Sequence, residues 1–417
     1  MKTLNLVSGV LLLMFGCNSN NKEQNDNLNQ RDSFYSRIEF GEHGVGFSDT
    51  VIFNSDIRFS FLPENGASYT QYDYKGPTPL FLRIWYPIEE HHLKPLRFYE
   101  LRNRKLPSEL QSVYEPLVQK MDSAFIEYYI IDNYTPDNDS IDYGEYSYLD
   151  VFDTIKNYQT KSQYKKISDK LDFPVIVYHH GGQGEPDENF VLAEYFASRG
   201  YIVVSSNFHL PFENKWYGYD GKEFDEIALA KSVIAFAKTL TTSDESYFIG
   251  HSIGAQIGFK FLYQDNWANA FISLETTMEG FAADYLKSEE GWPEEANIIA
   301  DHKLEYSIPI LMIANTREQK SFPLFDELTN AQLIQVSQKK WFGHSSYCSV
   351  FLMRYLYRDI FSQPDNYLLG PNLELYAKQL KLYEAFLKSA ESGQEFDGKE
   401  FEEDFYISIP NTNANNK

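Results

Sequence analysis

The sequence predicts an α/β fold with a mostly parallel central sheet that is covered by helices on both faces. From Phe173 onward, short apolar runs of strand length alternate with longer segments of helical periodicity, which is typical of parallel strands joined by crossover helices. One of these runs, Tyr247–Ile249, leads into a helical pattern at Ala255–Leu262 with glycines and a serine at the junction. Functional groups in such sheets lie at the carboxyl ends of the strands, so we expect the site there.

The elements of this fold follow one another in regular order. Two helical segments lie between the predicted strands: Glu188–Arg199, which Gly200 closes, and Glu223–Leu240. The predicted parallel strands are Pro174–Tyr178, Tyr201–Ser206, Tyr247–Ile249, Ala270–Leu274, Ile308–Ala314 and Ala331–Val336. Ahead of them, four short runs predict an antiparallel start to the sheet: Gly44–Phe47, Val51–Phe53, Ile57–Phe61 and Phe81–Pro87.

We expect one large domain with insertions, because 417 residues, 43% of them hydrophobic, suffice for one large core. Residues 34–363 form this predicted domain. Within it, residues 88–170 break the strand–helix rhythm and are interpreted as a cap or lid insertion, with a helix at Leu106–Ile126. Residues 364–417 are predicted to form a C-terminal helix and an acidic, polar tail, of which Glu391–Asp404 and Asn411–Lys417 are expected to be solvated or frayed.

The start of the chain predicts export and lipid attachment. Lys2 precedes an apolar run that suits a signal peptide, residues 1–16, and is too short to span a membrane. The run ends at Cys17 in a context that resembles the lipobox of bacterial lipoproteins, and residues 17–33 are polar enough for a flexible tether. We therefore expect an exported protein that lipid on Cys17 anchors to the bacterial cell envelope, in particular the outer membrane. An ordinary signal peptide with an incidental cysteine is the alternative.

Charge and cysteine count limit the classes of partner. The formal net charge of −23 repels nucleic acid and anionic lipid headgroups, so membrane attachment would come from acyl chains and not from a basic patch. The chain has two cysteines, and if Cys17 carries lipid, then Cys348 has no disulfide partner. Aromatic residues make up 16% of the chain, which suits surfaces that bind sugars or acyl chains. We make no prediction of the oligomeric state.

The junction Gly250-His251-Ser252-Ile253-Gly254 has the spacing G-x-S-x-G. A strand that runs straight into a helix with serine at the turn forces the serine backbone into a strained conformation and projects its hydroxyl above the sheet. Gly250 and Gly254 keep side chains out of the space where strand and helix nearly collide. We therefore predict that Ser252 is a nucleophile at such a turn, a nucleophile elbow.

A serine nucleophile needs a base, and the base needs an orienting carboxylate. In this architecture the chain order is serine, acid, histidine, and two histidines follow Ser252. His302 lies in a polar segment ahead of a strand, where an exposed histidine is typical. His344 follows the last predicted strand of the sheet, and we predict that it is the general base and acid.

Three carboxylates are candidates for the orienting acid. Glu275 directly follows an apolar strand, where an ionised group is costly unless it is paired. Glu318 follows the next strand, which is the commoner location of the acid in this architecture, and Asp326 is a third candidate. We favour Glu275 and keep Glu318 as the alternative.

The loop Tyr178–Gly184 follows the first parallel strand and resembles a glycine-rich oxyanion loop of the H-G-G-G type. Its glycines let backbone N–H groups approach a substrate oxygen, and we predict the amides of Gly182 and Ile253 as the donors. His179 and His180 are adjacent and point to opposite sides of a strand end, so they cannot chelate one ion. The sequence predicts no metal site and no cofactor.

Four segments together resemble the α/β-hydrolases of the platelet-activating-factor acetylhydrolase group and their dienelactone-hydrolase-like relatives: Phe81–Pro87, Pro174–Gly182, Gly250–Gly254 and Leu274-Glu275. The resemblance covers about residues 80–362 and implies an α/β-hydrolase fold. It also implies that the acid directly follows the strand after the elbow helix, at Glu275, and that the closing histidine is His344. Glu275 is a glutamate where that group usually has aspartate.

The sequence therefore predicts a lipid-anchored serine esterase with Ser252, His344 and Glu275 as its triad. Short acyl or acetyl esters of lipid-like or carbohydrate-linked alcohols are the expected substrates, ahead of peptides. A serine peptidase of the same fold is one alternative. The other is an envelope lipoprotein of this fold that has lost catalysis and binds glycans, which inertness to a fluorophosphonate would favour.

Overall fold

The computed structural model describes residues 34–59, 76–89, 93–102, 106–126, 148–182, 185–208, 225–264, 267–315, 321–353 and 366–410. These segments contain an eleven-stranded sheet. Its strands are β1 (Gly44–Phe59), β2 (Gly76–Ile88), β3 (Pro95–Arg97), β4 (Gln159–Tyr164), β5 (Val175–His179), β6 (Ile202–Ser205), β7 (Ser246–His251), β8 (Ala270–Leu274), β9 (Ile310–Ala314), β10 (Leu333–Gln338) and β11 (Phe405–Ser408). Their spatial order is β11-β10-β9-β8-β7-β5-β6-β2-β1-β4-β3.

The centre of the sheet is parallel and its edges are mixed. The six consecutive strands from β10 to β6 in this order all pair in parallel. β11 adds antiparallel to β10, and β2 pairs antiparallel with both β6 and β1. At the far edge, β4 is parallel to β1 and antiparallel to β3. The parallel core places the carboxyl ends of β5, β7 and β8 side by side.

Helices cover both faces of this sheet. They are α1 (Phe98–Arg102), α2 (Ser108–Ala124), α3 (Tyr148–Asn157), α4 (Phe190–Ser198), α5 (Glu226–Thr239), α6 (Ile253–Phe261), α7 (Ala283–Leu286), α8 (Pro293–Asp301), α9 (Ser349–Leu352) and α10 (Asn366–Ser392). Because alternate strand residues face opposite sides, Ile176 and Tyr178 share one core with α4 and α10, whereas Val175 and Val177 share the other with α5 and α6. The predicted fold class is confirmed. Within the described segments, no helix is both long and apolar enough to cross a membrane.

The antiparallel start of the sheet differs from the prediction. The runs at Gly44–Phe47, Val51–Phe53 and Ile57 onward are predicted as separate strands, but the structure joins them in the single 16-residue strand β1. The pairing of β1 with β2 shifts register between Asn54 and Arg58. An irregularity of this kind bends a strand without ending it, so the polar residues there mark a bulge and not a turn.

The end of the chain also differs from the prediction of a solvated tail. Phe396 and Phe401 are buried, and β11 follows them and completes the sheet edge beside β10. The carboxylates that suggest a solvated segment alternate with aromatic residues that pack into the core, and the buried aromatic residues decide the structure. The prediction for Glu391–Asp404 is therefore wrong at its buried aromatic residues, although most of its carboxylates are exposed, and residues 411–417 lie outside the described segments.

Arg102, at the end of α1, forms ion pairs that connect the 88–170 segment to the loop that follows Gly182. Its fully buried guanidinium donates to Asp187 and to Asp122, each at 2.9 Å, and also pairs with Glu185. Burial raises the pKa of Glu185 despite the charge of Arg102, and the carboxylate of Asp187 adds to the rise. The chain next to the predicted oxyanion loop is thus held by a cation from this segment.

Arg102→Met is expected to lower the free energy of unfolding by about 3–5 kcal/mol, because it leaves buried carboxylates without their cation. Denaturant unfolding measures this loss. Arg37→Met is the matched control, since it removes an exposed ion pair with Glu374 and should change the free energy by less than about 0.5 kcal/mol. Equal effects of the two substitutions would contradict an anchoring role for Arg102.

Candidate active site

Ser252 lies at the turn between β7 and α6. Its φ of 53° and ψ of −118° lie in a region that residues with a Cβ rarely adopt, so the backbone is strained there. Neither of the flanking glycines has room for a side chain. A Cβ on Gly250 would lie 2.4 Å from the Gly254 oxygen, and one on Gly254 would lie 2.3 Å from the His179 oxygen. The strand, turn and helix predicted around Ser252 are therefore present, with a half-buried serine at the turn.

Glu275 and His344 meet beside this turn. The Ser252 N–H donates to the Leu274 carbonyl at 2.9 Å, so the elbow is bonded to the residue that precedes Glu275. Glu275 has a positive φ of 50°, which turns the chain sharply off the end of β8. Its Oε2 lies 3.2 Å from Nδ1 of His344 as an ion pair, and neither of these buried atoms forms a hydrogen bond with any other described residue. The His344 side chain is 38% exposed, so its ring is open to a ligand.

Opposing effects set the pKa of His344. Burial lowers it, whereas the hydrogen bond and charge of Glu275 raise it, and the charges of Glu279 and Glu188 add to the rise. The net result is a pKa above the ordinary histidine value. Glu279 is itself buried and accepts a 2.7 Å hydrogen bond from the Thr276 N–H. Burial and the charge of Glu275 raise the pKa of Glu279 to about 7. The site thus contains a second carboxyl group that sequence patterns do not indicate.

The glycine-rich loop after β5 lies against the elbow. A Cβ on Gly182 would lie 2.7 Å from Cδ1 of Ile253, and one on Gly181 would lie 3.4 Å from Cβ of Ser252. Ile253 is the first residue of α6, where N–H groups have no acceptor within the helix. The two amides predicted as oxyanion donors, those of Gly182 and Ile253, therefore belong to adjoining stretches of backbone next to Ser252.

A buried cluster of Glu188, His251 and Cys348 adjoins these residues. Nδ1 of His251 lies 3.5 Å from Oε1 of Glu188 and 3.4 Å from Sγ of Cys348. The three donor atoms lie within 4.8 Å of one another, and they are of the types that zinc binds. Oε1 of Glu188 also accepts hydrogen bonds from the Tyr178 hydroxyl at 2.6 Å and the Gly181 N–H at 3.3 Å. These internal bonds satisfy the cluster, and we assign no metal to it.

The charge of this cluster is set by Glu188. Burial raises the pKa of Glu188, but its hydrogen bond to His251 and the nearby imidazole charges outweigh burial and hold the pKa at about 2. Glu188 is therefore an ionised carboxylate at neutral pH. In the sequence, His251 is one of the variable positions of G-x-S-x-G and Cys348 is an isolated cysteine, so neither indicates this contact.

Four other residues that the sequence singles out are not brought to Ser252 by any contact in the described segments. The ring of His302 stacks on that of Tyr263, with 3.8 Å between centroids, and Asp326 accepts a 2.6 Å hydrogen bond from Gln335. No contact in the described part of the chain brings either residue to Ser252. Two predicted residues lie outside the described segments: Glu318 and Cys17.

The strand order, the crossover helices and the strained serine at the strand-to-helix turn define a protein with the α/β-hydrolase fold. The acid–histidine pair lies at the carboxyl end of the same sheet, where this fold carries its functional groups. No family model matches the sequence, and no curated protein matches it.

Solved structures of low identity are similar to this chain. The ferulic acid esterase from Streptomyces cinnamoneus is 13% identical, with 82% of this chain and 88% of that chain covered and a TM-score of 0.44. Est1E from Butyrivibrio proteoclasticus is 14% identical, with 51% and 89% covered and a TM-score of 0.29. An acylaminoacyl peptidase from Pyrococcus horikoshii is 13% identical, with 88% and 45% covered and a TM-score of 0.39. The strand order and the strained turn at Ser252 show the fold without these similarities. Membership of the acetylhydrolase group stays a prediction.

Proposed function

We propose that this protein is a serine hydrolase that cleaves carboxylic esters through an acyl-enzyme. The observation that carries the proposal is the arrangement at the end of β8. There the N–H of the strained Ser252 donates to the carbonyl of Leu274, and the next residue, Glu275, faces His344. In this proposal Ser252 is the nucleophile, His344 is the general base and then the general acid, and Glu275 orients the imidazole.

The reaction has two halves. In the first, Nε2 of His344 accepts the hydroxyl proton as Oγ of Ser252 bonds the ester carbonyl carbon. Glu275 faces Nδ1, so it keeps the proton on Nδ1 and stabilises the imidazolium. The amides of Gly182 and Ile253 stabilise the oxyanion, and collapse of the tetrahedral intermediate transfers the proton from Nε2 to the leaving alcohol. In the second half, a water molecule attacks the acyl-enzyme from the place that the alcohol has left. This step releases the carboxylic acid and the free serine.

Short-chain acyl or acetyl esters of lipid-like or carbohydrate-linked alcohols are the proposed substrates. The resemblance of the sequence motifs to acetylhydrolases supports this choice. Trp341, which is 37% exposed, offers an aromatic surface beside Gly343, the residue before His344, where a Cβ would lie 3.0 Å from its ring. No cofactor takes part in the proposed steps. Export and lipid anchoring of the protein at Cys17 to the cell envelope belong to the same proposal.

Turnover of p-nitrophenyl esters of increasing acyl length by the purified protein tests this function. We expect the fastest hydrolysis with short acyl groups, and a burst of p-nitrophenol where deacylation limits the rate. The profile of rate against chain length measures the size of the acyl pocket. A folded protein that shows neither turnover nor a burst with any ester would contradict the proposal, and would favour a peptidase or a non-catalytic glycan-binding protein.

The pH dependence of turnover should report the raised pKa of His344. A general base must be neutral, so kcat/KM should be lost as pH falls through this pKa and retained above it. We expect the midpoint of the acid limb above about 6.5, the ordinary histidine value. Measurement of kcat/KM from acidic to mildly alkaline pH checks this, and a midpoint clearly below the ordinary value would contradict the proposed pairing with Glu275.

A further inference from the structure

We infer that His251 is a positioning residue, which holds His344 in the orientation that the proposed reaction needs. The inference rests on the proposed function, in which the imidazole of His344 must face both Ser252 and Glu275. His251 immediately precedes Ser252 and is 4% exposed, so it is placed to act on His344 from inside the protein. Its side chain is 5% exposed, so it is closed to a ligand.

Two contacts join His251 to His344. Nε2 of His251 lies 3.2 Å from the backbone oxygen of His344, and since a carbonyl oxygen only accepts, Nε2 carries the hydrogen of this bond. The two imidazole rings also pack together, with centroids 4.8 Å apart and planes inclined by 34°. His344 opens a 3₁₀ helix of four residues, so its backbone has few bonds of its own to fix it. The bond from His251 therefore fixes the backbone of His344, whose ring must face Ser252 and Glu275.

Glu188 in turn holds His251 through the other ring nitrogen. The ionised carboxylate lies 3.5 Å from Nδ1 of His251, and the same oxygen accepts from the Gly181 N–H in the glycine-rich loop. The backbone oxygen of Glu188 accepts from the N–H of Val350 and from the hydroxyl of Ser349, both at 3.0 Å. Glu188 therefore bonds the oxyanion loop, the elbow and the chain that follows His344, and joins the three parts of the site in one buried network.

The shape of this network suggests a matched pair of substitutions. In His251→Gln, the side-chain amide nitrogen can occupy the place of Nε2 and still donate to the His344 oxygen. In His251→Asn, the shorter amide reaches only the place of Nδ1, near Glu188 and Cys348, and no donor reaches His344. Both variants lack an imidazole and any positive charge it carries. They differ in the contact that the amide can keep, which is the bond to His344 in His251→Gln and the contact with Glu188 in His251→Asn. Recovery in His251→Gln alone therefore assigns the effect to the bond to His344.

Two measurements on the full chain separate positioning from folding and from the proposed activity. With p-nitrophenyl acetate, we expect His251→Asn to lower kcat on the order of 10²-fold with little change in KM, and His251→Gln to recover most of the loss. The titration of His344 is followed by NMR of protein labelled at histidine Cε1, with the resonance assigned by His344→Gln. We expect its pKa to fall in His251→Asn, because the ring no longer faces Glu275, and to stay near the parental value in His251→Gln.

The outcomes are distinct. An unchanged pKa of His344 in His251→Asn, or equal losses of kcat in the Asn and Gln variants, would overturn the positioning role. His302→Phe, which changes an imidazole remote from the site, should leave both readouts as in the parent. If the parental protein hydrolyses no ester, the proposed function fails, but the NMR titration still decides whether His251 fixes His344.

Discussion

Ser252→Ala is expected to lower kcat for p-nitrophenyl ester hydrolysis on the order of 10⁶-fold, because it removes the oxygen that forms the acyl-enzyme in the proposed reaction. Alanine keeps the Cβ that serine already places at a φ of 53°, so the strained turn and the packing of α6 should be retained. We therefore expect the free energy of unfolding to change by less than about 1 kcal/mol. Steady-state kinetics and denaturant unfolding of the same preparation test both statements.

Ser246→Ala is the matched control for this substitution. Ser246 begins β7, the strand that leads to Ser252, and its hydroxyl bonds Asn269 at 3.2 Å at the opposite end from the elbow. The control should keep kcat near the parental value, since its hydroxyl is one strand length from the reacting atoms. If Ser252→Ala retains kcat within about tenfold of the parent, Ser252 is not the nucleophile.

Glu275→Ala is expected to lower kcat on the order of 10³–10⁴-fold, the size of effect that follows loss of an orienting acid. The carboxylate lies 3.2 Å from Nδ1 of His344 and is the group that most strongly raises the pKa of that imidazole. Its removal should therefore also shift the acid limb of kcat/KM to lower pH. Kinetics across the pH range measure both effects in one experiment.

Glu318→Ala decides between the two acids that the sequence leaves open. Glu318 lies outside the described segments, whereas Glu275 contacts His344 directly. We expect Glu318→Ala to keep kcat near the parental value with an unchanged acid limb. A larger loss from Glu318→Ala than from Glu275→Ala would assign the acid to Glu318 and leave the Glu275 contact without a catalytic role.

The parts of the site that the sequence predicts depend on short stretches of chain. The turn at Ser252 follows from two glycines and a serine between an apolar strand and a helix, and the structure shows that side chains at those glycines would collide with backbone. Glu275 is predictable because an ionisable residue at the end of a buried strand needs a partner. His344 follows from the order of residues in the chain, and its contact with Glu275 agrees with that assignment.

The buried network behind the site depends on contacts that no local pattern encodes. His251 and Cys348 are 97 residues apart in sequence, and they meet because β7 and the chain after β10 converge on Glu188. Glu279 becomes part of the site through the turn after Glu275, where Thr276 donates to its carboxylate. Charge composition misleads at the end of the chain, since the acidic residues there flank aromatic residues that are buried. Tertiary packing decides each of these cases.

The most direct test of the proposed function is the site of covalent labelling by a fluorophosphonate. The purified protein is treated with the probe, digested, and analysed by peptide mass spectrometry. We expect one adduct per chain on the peptide that contains Ser252, slower labelling of Glu275→Ala, and no adduct on that peptide in Ser252→Ala. A folded protein that takes up no probe, or one that carries the adduct on another residue, would contradict the assignment of Ser252 as the nucleophile of a serine hydrolase.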